Sequence, residues 1–299
     1  MKELKSNRPG SRAASRFIKD IPAWLLILPA LCLLFLICWR PIFMGVKMSF
    51  FSNDGSVFVG FENYKTVIGD TLFLKALKNT VLYVVWSLVV GLFIPVIVAI
   101  MLNETVHLNS FLKASLYLPQ VVPTVAASLL WYFVYLADDA GLLNTVLGLF
   151  GAEPYVWLQN ERITILLIIV MMTWKGFGFT SIMYLASIQG INRELYEAAM
   201  IDGAGIIRRT TKITLPNMYP MILLFAINQV KNIFNIMVEP LTMTGGGPNN
   251  ASLSLGLQSY KYAFQYFRMA DSVALSTVMW VIIMMFTVIY VGLDRKLEQ

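Results

Sequence analysis

The sequence predicts an all-α integral membrane protein with six transmembrane helices. With 58% hydrophobic residues and a mean hydropathy of +0.68, the 299-residue chain carries more apolar surface than one soluble core would bury. Charged residues make up only 13% of the chain. Six apolar runs have roughly the length that a helix needs to cross a hydrocarbon core of ~30 Å.

The six predicted spans follow a basic tail. Residues 1–20 are polar and rich in Lys and Arg, and we expect residues 21–299 to form one transmembrane domain. The first apolar run is too long for the core of a signal peptide and lacks a convincing small-residue cleavage site, so it predicts a retained span. The predicted spans are 22–46, 81–102, 114–136, 163–188, 221–238 and 273–293.

The distribution of Lys and Arg predicts the orientation. Six spans place both termini on one side of the membrane. Segments on the side of the tail hold thirteen Lys and Arg residues, and segments on the other side hold seven. Because positive charge is retained on the cytoplasmic side, we expect both termini in the cytoplasm, with the tail as a cytoplasmic segment.

Composition argues against several other functional classes. The net charge of +6 lies in the tail and in the loops beside the apolar runs, so it indicates topology rather than a nucleic-acid partner. Cys32 and Cys38 both lie inside the first apolar run and do not form a CxxC motif. His107 is the single histidine, which disfavours a metal site and Ser-His-Asp chemistry. We therefore expect no catalytic residues and no metal.

A glycine run lies between the last two spans. Gly245-Gly246-Gly247-Pro248 lacks the Lys-Ser/Thr ending of a phosphate-binding P-loop, so it predicts a tight turn where parts of the chain pack closely. A Walker sequence is absent from all 299 residues. Any ATP-dependent energy source must therefore reside on another chain.

One polar stretch, 192–216, separates two apolar runs. Glu197 to Ile201 are good helix formers, Gly203 and Gly205 offer a turn, and Pro216 favours the first turn of a following helix. This pattern predicts a short helical hairpin at the membrane surface. Basic residues on its second arm suit the cytoplasmic side, where a soluble partner could bind: Arg208, Arg209 and Lys212.

Polar residues also occur within the fifth predicted span. At about 100° per residue, five of them fall within an arc of roughly 100° on one helix. A lysine near the middle of a membrane costs ~3 kcal/mol, so this stripe predicts a polar wall of a translocation pathway. The alternative is that the asparagines bond neighbouring helices and that Lys231 pairs with a carboxylate such as Glu239. The stripe is Asn228, Lys231, Asn232, Asn235 and Glu239.

The hairpin carries a family resemblance. Its residues match, with the spacing intact, the EAA signature of the membrane subunits of bacterial ABC importers, and the fuller pattern resembles the carbohydrate uptake branch. The sequence is similar to the first permease of the maltose or glycerol-phosphate type pair. Thr210 departs from the branch, where an aromatic residue is common. The matching residues are Glu197, Ala198, Ala199, Asp202, Gly203, Gly205, Ile213, Leu215 and Pro216.

The resemblance implies a type I ABC importer permease fold and a multi-subunit assembly in the bacterial inner membrane. It implies a second, different permease, two ATPase subunits that hold ATP and Mg²⁺, and an extracytoplasmic solute-binding protein. The EAA loop of this chain would dock on the ATPases. Glu197 would make a charge contact or a local cap at the ATPase surface, Ala198 and Ala199 would pack in a groove of the ATPase, and Gly203 would form the turn. The chain itself would hold no cofactor and perform no chemistry.

The cargo implied by the resemblance is a sugar or oligosaccharide. Glycerol phosphate or another polar solute is an alternative within the same architecture. A self-sufficient secondary carrier is a more distant one, and the lack of a convincing internal repeat disfavours it. A membrane enzyme would need an intramembrane catalytic pair, which the sequence does not suggest.

Overall fold

The computed structural model describes residues 24–104 and 110–297, with side chains described for 24–104 and 113–288. In these ranges the regular structure is helical, apart from one isolated antiparallel bridge between Phe51 and Phe58. The predicted basic tail, 1–20, lies outside the described residues.

Five described helices are long and apolar enough to cross a membrane, and a bent pair gives a sixth span if its two halves are counted as one. The five are α1 (Trp24–Met48), α3 (Thr71–Glu104), α7 (Thr164–Gln189), α9 (Ile206–Phe234) and α12 (Met269–Leu297). The bent pair is α4 (Ser110–Val121) with α5 (Thr124–Val134). The shorter helices are α2 (Glu62–Gly69), α6 (Leu142–Leu149), α8 (Arg193–Ile201), α10 (Val238–Thr244) and α11 (Leu255–Tyr260). The prediction of an all-α, six-span membrane protein is thereby confirmed.

The third predicted span, 114–136, is not one continuous helix. The chain bends by 99° between α4 and α5. The break falls at Val122 and Pro123, because proline has no N–H for the helix ladder and disfavours helical geometry in the residue before it. A single straight crossing over these residues was therefore the wrong expectation.

The second span begins ten residues before its predicted start at Val81. Asp70 caps α3, and its side chain accepts a hydrogen bond from the Leu72 N–H at 2.8 Å. The added turns are amphipathic, and they bury Phe73 and Ala76 against the rest of the protein. Packing against neighbouring helices thus extends the helix beyond its apolar stretch.

The fifth span also differs from its predicted bounds of 221–238. Helix α9 runs from the polar stretch through to Phe234, and Asn235 then ends it in a non-helical conformation. The next helix, α10, begins at Val238. Residues of the predicted span are therefore divided between two helices.

Helices α3, α7 and α9 form the centre of the fold. One buried cluster near Tyr184 and Met218 joins all three helices. A second cluster, around Ile168 and Ile233, adds α5 and α10. A third cluster packs α2, α11 and α12 against α3 and α9. The most apolar stretch of α1 has no buried residue, although the C-terminal end of this helix lies against α12 near Gly45 and Val273.

Candidate functional site: a hairpin and a polar cavity

The first arm of the predicted hairpin is helix α8. The Asn192 side chain caps it by accepting a hydrogen bond from the Glu194 N–H at 3.0 Å. Glu194 lies in the first turn, where its negative charge suits the helix dipole. Glu197, Ala198 and Ala199 follow on the same helix, which begins one residue after the predicted start of the hairpin.

The turn after α8 requires one glycine. Gly203 has a φ of +75°, in the left-handed region, and the Ala204 N–H donates to the Ala199 carbonyl at 2.8 Å. Gly205 instead has extended backbone that any residue adopts, with a φ of −68° and a ψ of 171°. The conformational need for glycine therefore falls on Gly203 alone.

The second arm is continuous with the membrane-spanning helix α9. Pro216 lies in the first turn of the α-helical segment Leu215–Phe234, as the sequence predicted, and this segment continues the helix that starts at Ile206. A π-helical segment, Thr210–Thr214, joins the two α-helical parts. Thr210, the position that departs from the family pattern, begins this segment.

The two arms are held together by a hydrogen bond. The Tyr196 hydroxyl and Thr214 Oγ1 lie 2.9 Å apart, and Thr214 is buried. A second contact fixes the hairpin to α3, where Arg209 forms an ion pair with Glu104 at 3.6 Å. A cavity of about 680 Å³ lies beside this ion pair, lined in part by Lys113, Glu197 and Arg209.

The tip of the hairpin exposes apolar side chains. Ile201 and Ile207 are 87% and 81% exposed on either side of the turn, and Met200 and Ile206 are also exposed. Contiguous exposed apolar side chains are typical of a protein-docking surface. Sequence reasoning missed them, although the pairs Met200-Ile201 and Ile206-Ile207 flank the predicted turn in a polar stretch.

The predicted hairpin residues do not all share this exposure. Ala199, Ile213 and Leu215 are half-buried, whereas six others are exposed. The exposed ones are Glu197, Ala198, Asp202, Gly203, Gly205 and Pro216.

The predicted polar stripe is divided between two helices. Asn228, Lys231 and Asn232 lie on α9, Asn235 ends that helix, and Glu239 lies in the first turn of α10. The expectation that all five share one helical face was therefore wrong. Asn228 and Asn235 donate to carbonyls of their own helix, those of Leu224 at 3.0 Å and Lys231 at 2.9 Å.

A cavity of about 720 Å³ nevertheless brings four of the five together. Asn228, Asn232, Asn235 and Glu239 line it. Lys231 does not line it; its Nζ donates to Asn228 Oδ1 at 3.4 Å. The other lining residues come from α4, α5, α7, α9, the link after α9 and the start of α10: Gln120, Thr124, Met172, Lys175, Gly176, Phe179, Thr180, Phe225, Gln229, Ile236, Met237 and Val238.

Lys175 is a cavity residue that sequence reasoning missed. It lies on α7 and lines the same cavity as Glu239. Among the described residues Lys231 forms no ion pair with Glu239, the pairing that the sequence had suggested as an alternative; its Nζ contacts Asn228 instead. A lysine within an apolar run was a usable signal, because such a residue is costly in a membrane unless it faces protein or water.

The glycine run forms the predicted tight turn at the opposite end of the fold from the hairpin. Gly245 and Gly246 have φ values of +63° and +95°. Lys261 Nζ donates to the Gly245 carbonyl at 3.0 Å, and burial lowers the pKa of this lysine. The Asn79 side chain donates to the carbonyls of Asn250 at 2.8 Å and Leu253 at 2.9 Å. These contacts fix the loop against α3.

Metal-binding clusters are absent from the described part of the chain, where no group of three His, Cys, Asp or Glu side chains lies close enough to hold an ion.

Comparison with known proteins gives consistent matches. The family of binding-protein-dependent transport system inner membrane components matches residues 91–299. The sulfoquinovosyl glycerol transport system permease protein of Agrobacterium fabrum strain C58 is 33% identical over 297 residues, covering 93% of this chain and 96% of the relative. The lactose transport system permease protein of Rhizobium radiobacter is 31% identical over 297 residues, with coverages of 96% and 99%.

Solved structures agree with these sequence relatives. A chain from a bacterial ABC transporter involved in the import of the acidic polysaccharide alginate has a TM-score of 0.84 at 25% identity, covering 96% of this chain and 100% of that one. A second alginate transporter structure, in complex with an alginate pentasaccharide-bound periplasmic protein, shares the fold with a TM-score of 0.82 at 24% identity. The chain therefore belongs to the binding-protein-dependent inner membrane transport components and is a permease subunit of a carbohydrate ABC importer.

Proposed function

We propose that this chain forms one half of the translocation pathway of an ATP-driven importer for a sugar or oligosaccharide, beside a second and different permease. The observation that carries the proposal is the polar, exposed face of the membrane-spanning helix α9. Asn228, Lys231 and Asn232 are all exposed on it. A lysine facing hydrocarbon would cost ~3 kcal/mol, so this face meets water or protein rather than lipid.

The central cavity supplies the pathway's surface. Its volume of about 720 Å³ lies within the range of about 300–1,000 Å³ that is usual for small-ligand sites. Asn228, Asn232, Asn235 and Glu239 provide donors and acceptors for sugar hydroxyl groups. Phe179 and Phe225, in the same lining, provide aromatic surface for the apolar faces of a sugar ring. Lys231 lies outside the cavity, and we assign its exposed face of α9 to contact with the second permease.

The hairpin couples this pathway to two ATPase subunits, which hold ATP and Mg²⁺. Glu197, Ala198 and Ala199 on α8 form the docking helix, and the exposed Ile201 and Ile207 enlarge its apolar contact. Asp202, Gly203 and Gly205 form the turn. Ile213, Leu215 and Pro216 join the docking helix to α9, so that motion at the hairpin is transmitted into the membrane.

The orientation of the chain in the membrane follows from the assignment of the hairpin to the ATPase subunits. The hairpin and both termini face the cytoplasm of the bacterial cell, and the loop at Gly245–Pro248 faces outward. A solute-binding protein delivers the cargo on that outer side, which is supported by the alginate transporter structure in complex with an alginate pentasaccharide-bound periplasmic protein. ATP binding then closes the ATPases and rocks the permease halves, which requires cargo affinity to differ between the two states.

Purification of the tagged chain from native membranes tests this function. We expect a complex with a second permease and two ATPase subunits, whose ATP hydrolysis rises when the loaded binding protein is added. Identification of the ligand held by that binding protein distinguishes a saccharide from glycerol phosphate or another polar solute. Transport by the isolated chain, driven by an ion gradient without an ATPase, would overturn the proposal in favour of a secondary carrier.

A further inference from the structure

The central cavity contains opposite charges on two different helices. Lys175 comes from α7 and Glu239 from the first turn of α10. Both side chains line the same cavity, and among the described residues they do not form a direct ion pair. Counted as formal charges, the lining holds one positive and one negative group.

The rest of the polar lining is uncharged. Five side-chain amides, together with Thr124 and Thr180, face the same space. An amide offers both donor and acceptor atoms, and a hydroxyl does the same. The amides are Gln120, Asn228, Gln229, Asn232 and Asn235.

This arrangement suits a hydroxyl-rich ligand without charge. One hydroxyl of a vicinal diol can accept a hydrogen bond from the Lys175 ammonium while its neighbour donates to the Glu239 carboxylate. An anionic ligand attracted to Lys175 would bring a further negative charge close to Glu239. Burying a charge without its own partner is costly, so a lining that already holds one charge of each sign opposes acidic ligands.

We propose that Lys175 and Glu239 are specificity-determining residues whose charge balance keeps this cavity selective for uncharged saccharides over acidic ones. The inference rests on the proposed role of the cavity as the translocation pathway. It predicts that selectivity changes with the balance of the two charges rather than with either residue's size.

The test measures ligand binding to the purified permease–ATPase complex in lipid nanodiscs, without the binding protein, which has its own selectivity. The probes are trigalacturonate and its fully methyl-esterified form, which differ in charge but share a skeleton, with lactose and maltotriose as further neutral saccharides. Equilibrium dialysis at millimolar concentrations gives each dissociation constant.

The wild-type complex is expected to bind the ester at least tenfold more tightly than the acid. Glu239→Gln leaves Lys175 uncompensated, so the ratio should shift toward the acid by tenfold or more. The double variant Lys175→Gln/Glu239→Gln should restore the preference for the neutral form. Glu62→Gln, which removes the same charge from an exposed pair with Lys65 at 3.4 Å, is the matched control and should leave the ratio unchanged.

Assembly of each variant is checked by size-exclusion chromatography. The double variant carries neither charge, so it keeps the test valid if the single uncompensated charge in Glu239→Gln disrupts folding. Equal binding of acid and ester, or an unchanged ratio in Glu239→Gln, overturns the inference. The proposed function is judged separately with Asn232→Trp, which fills the cavity and should abolish uptake. If uptake persists in that variant, or no neutral saccharide binds the wild type, the pathway assignment itself fails together with the inference.

Discussion

Gly178 in helix α7 lies where another helix passes at backbone contact. A Cβ atom at this position would lie 1.7 Å from the Leu116 carbonyl oxygen and 2.4 Å from its carbonyl carbon. Leu116 belongs to α4, the first half of the bent pair. Since the obstacle is backbone, it cannot be relieved by a change of rotamer. Gly178→Ala should therefore force α4 and α7 apart.

The structure allows the size of this effect to be worked out. Restoring an ordinary contact distance of about 3.5 Å requires a displacement of roughly 1.5–2 Å. Overpacking of this kind costs about 1–3 kcal/mol, and a backbone clash falls toward the upper end. Alanine gains about 0.5–1 kcal/mol over glycine within a helix, so the net loss is about 1–2 kcal/mol.

Gly176 provides a matched control two residues away. Among the described residues, no atom outside the chain neighbours and the backbone of α7 itself lies within 4 Å of a Cβ placed there, so Gly176→Ala should keep only the helix-propensity gain of about 0.5–1 kcal/mol. Thermal unfolding of each purified complex, followed by tryptophan fluorescence, measures the two changes. We expect the midpoint to fall for Gly178→Ala and to stay level or rise for Gly176→Ala. Equal midpoints would refute the close contact between α4 and α7.

Three further predictions concern the hairpin and the loop that contains the glycine run. Gly203→Val forces a β-branched residue into left-handed backbone, at a cost of about 1–3 kcal/mol. The variant should remain in the membrane and its complex should hydrolyse ATP, but uptake should be low. Gly205→Ala, the control, should transport normally. Glu104→Arg should lower the ratio of uptake to hydrolysis several-fold, and adding Arg209→Glu should recover most of it; no recovery would refute a role for their ion pair. Asn79→Ala removes a side-chain donor from the Leu253 carbonyl and from the Asn250 carbonyl, which keeps the Leu253 N–H at 3.3 Å, and should destabilise the complex by about 1–3 kcal/mol, seen as a lower unfolding midpoint.

Hydropathy predicted the number of spans but not the bend within the third one. The apolar run over 114–136 has the right length for one crossing, and a count of apolar residues does not register a bend. Pro123 was the readable signal, because a proline removes a hydrogen-bond donor and restricts the residue before it, whereas Pro119 lies inside α4 without breaking it. The early start of α3 was likewise readable in Asp70, an N-cap residue type.

The hairpin was more predictable than the cavity because its geometry is local. A left-handed glycine after a run of helix formers is specified by neighbouring residues, and Gly203 adopts that conformation. The approach of Lys175 to Glu239 depends on how α7 and α10 pack, which spacing along the chain does not encode. Glu239 was placed on the wrong helix because the end of α9 at Asn235 lies inside a nearly continuous apolar pattern.

Helix α9 carries the turn of the hairpin at one end and the cavity amides at the other. With a rise of about 1.5 Å per residue, Ile206 and Asn232 are ~40 Å apart along one rod. By simple lever geometry, a tilt of ~10° about the middle of a rod of this length displaces each end by ~3 Å, roughly the length of a hydrogen bond. A small rotation imposed at the hairpin end of α9 would thus be enough to make or break the contacts of Asn232 with a bound ligand.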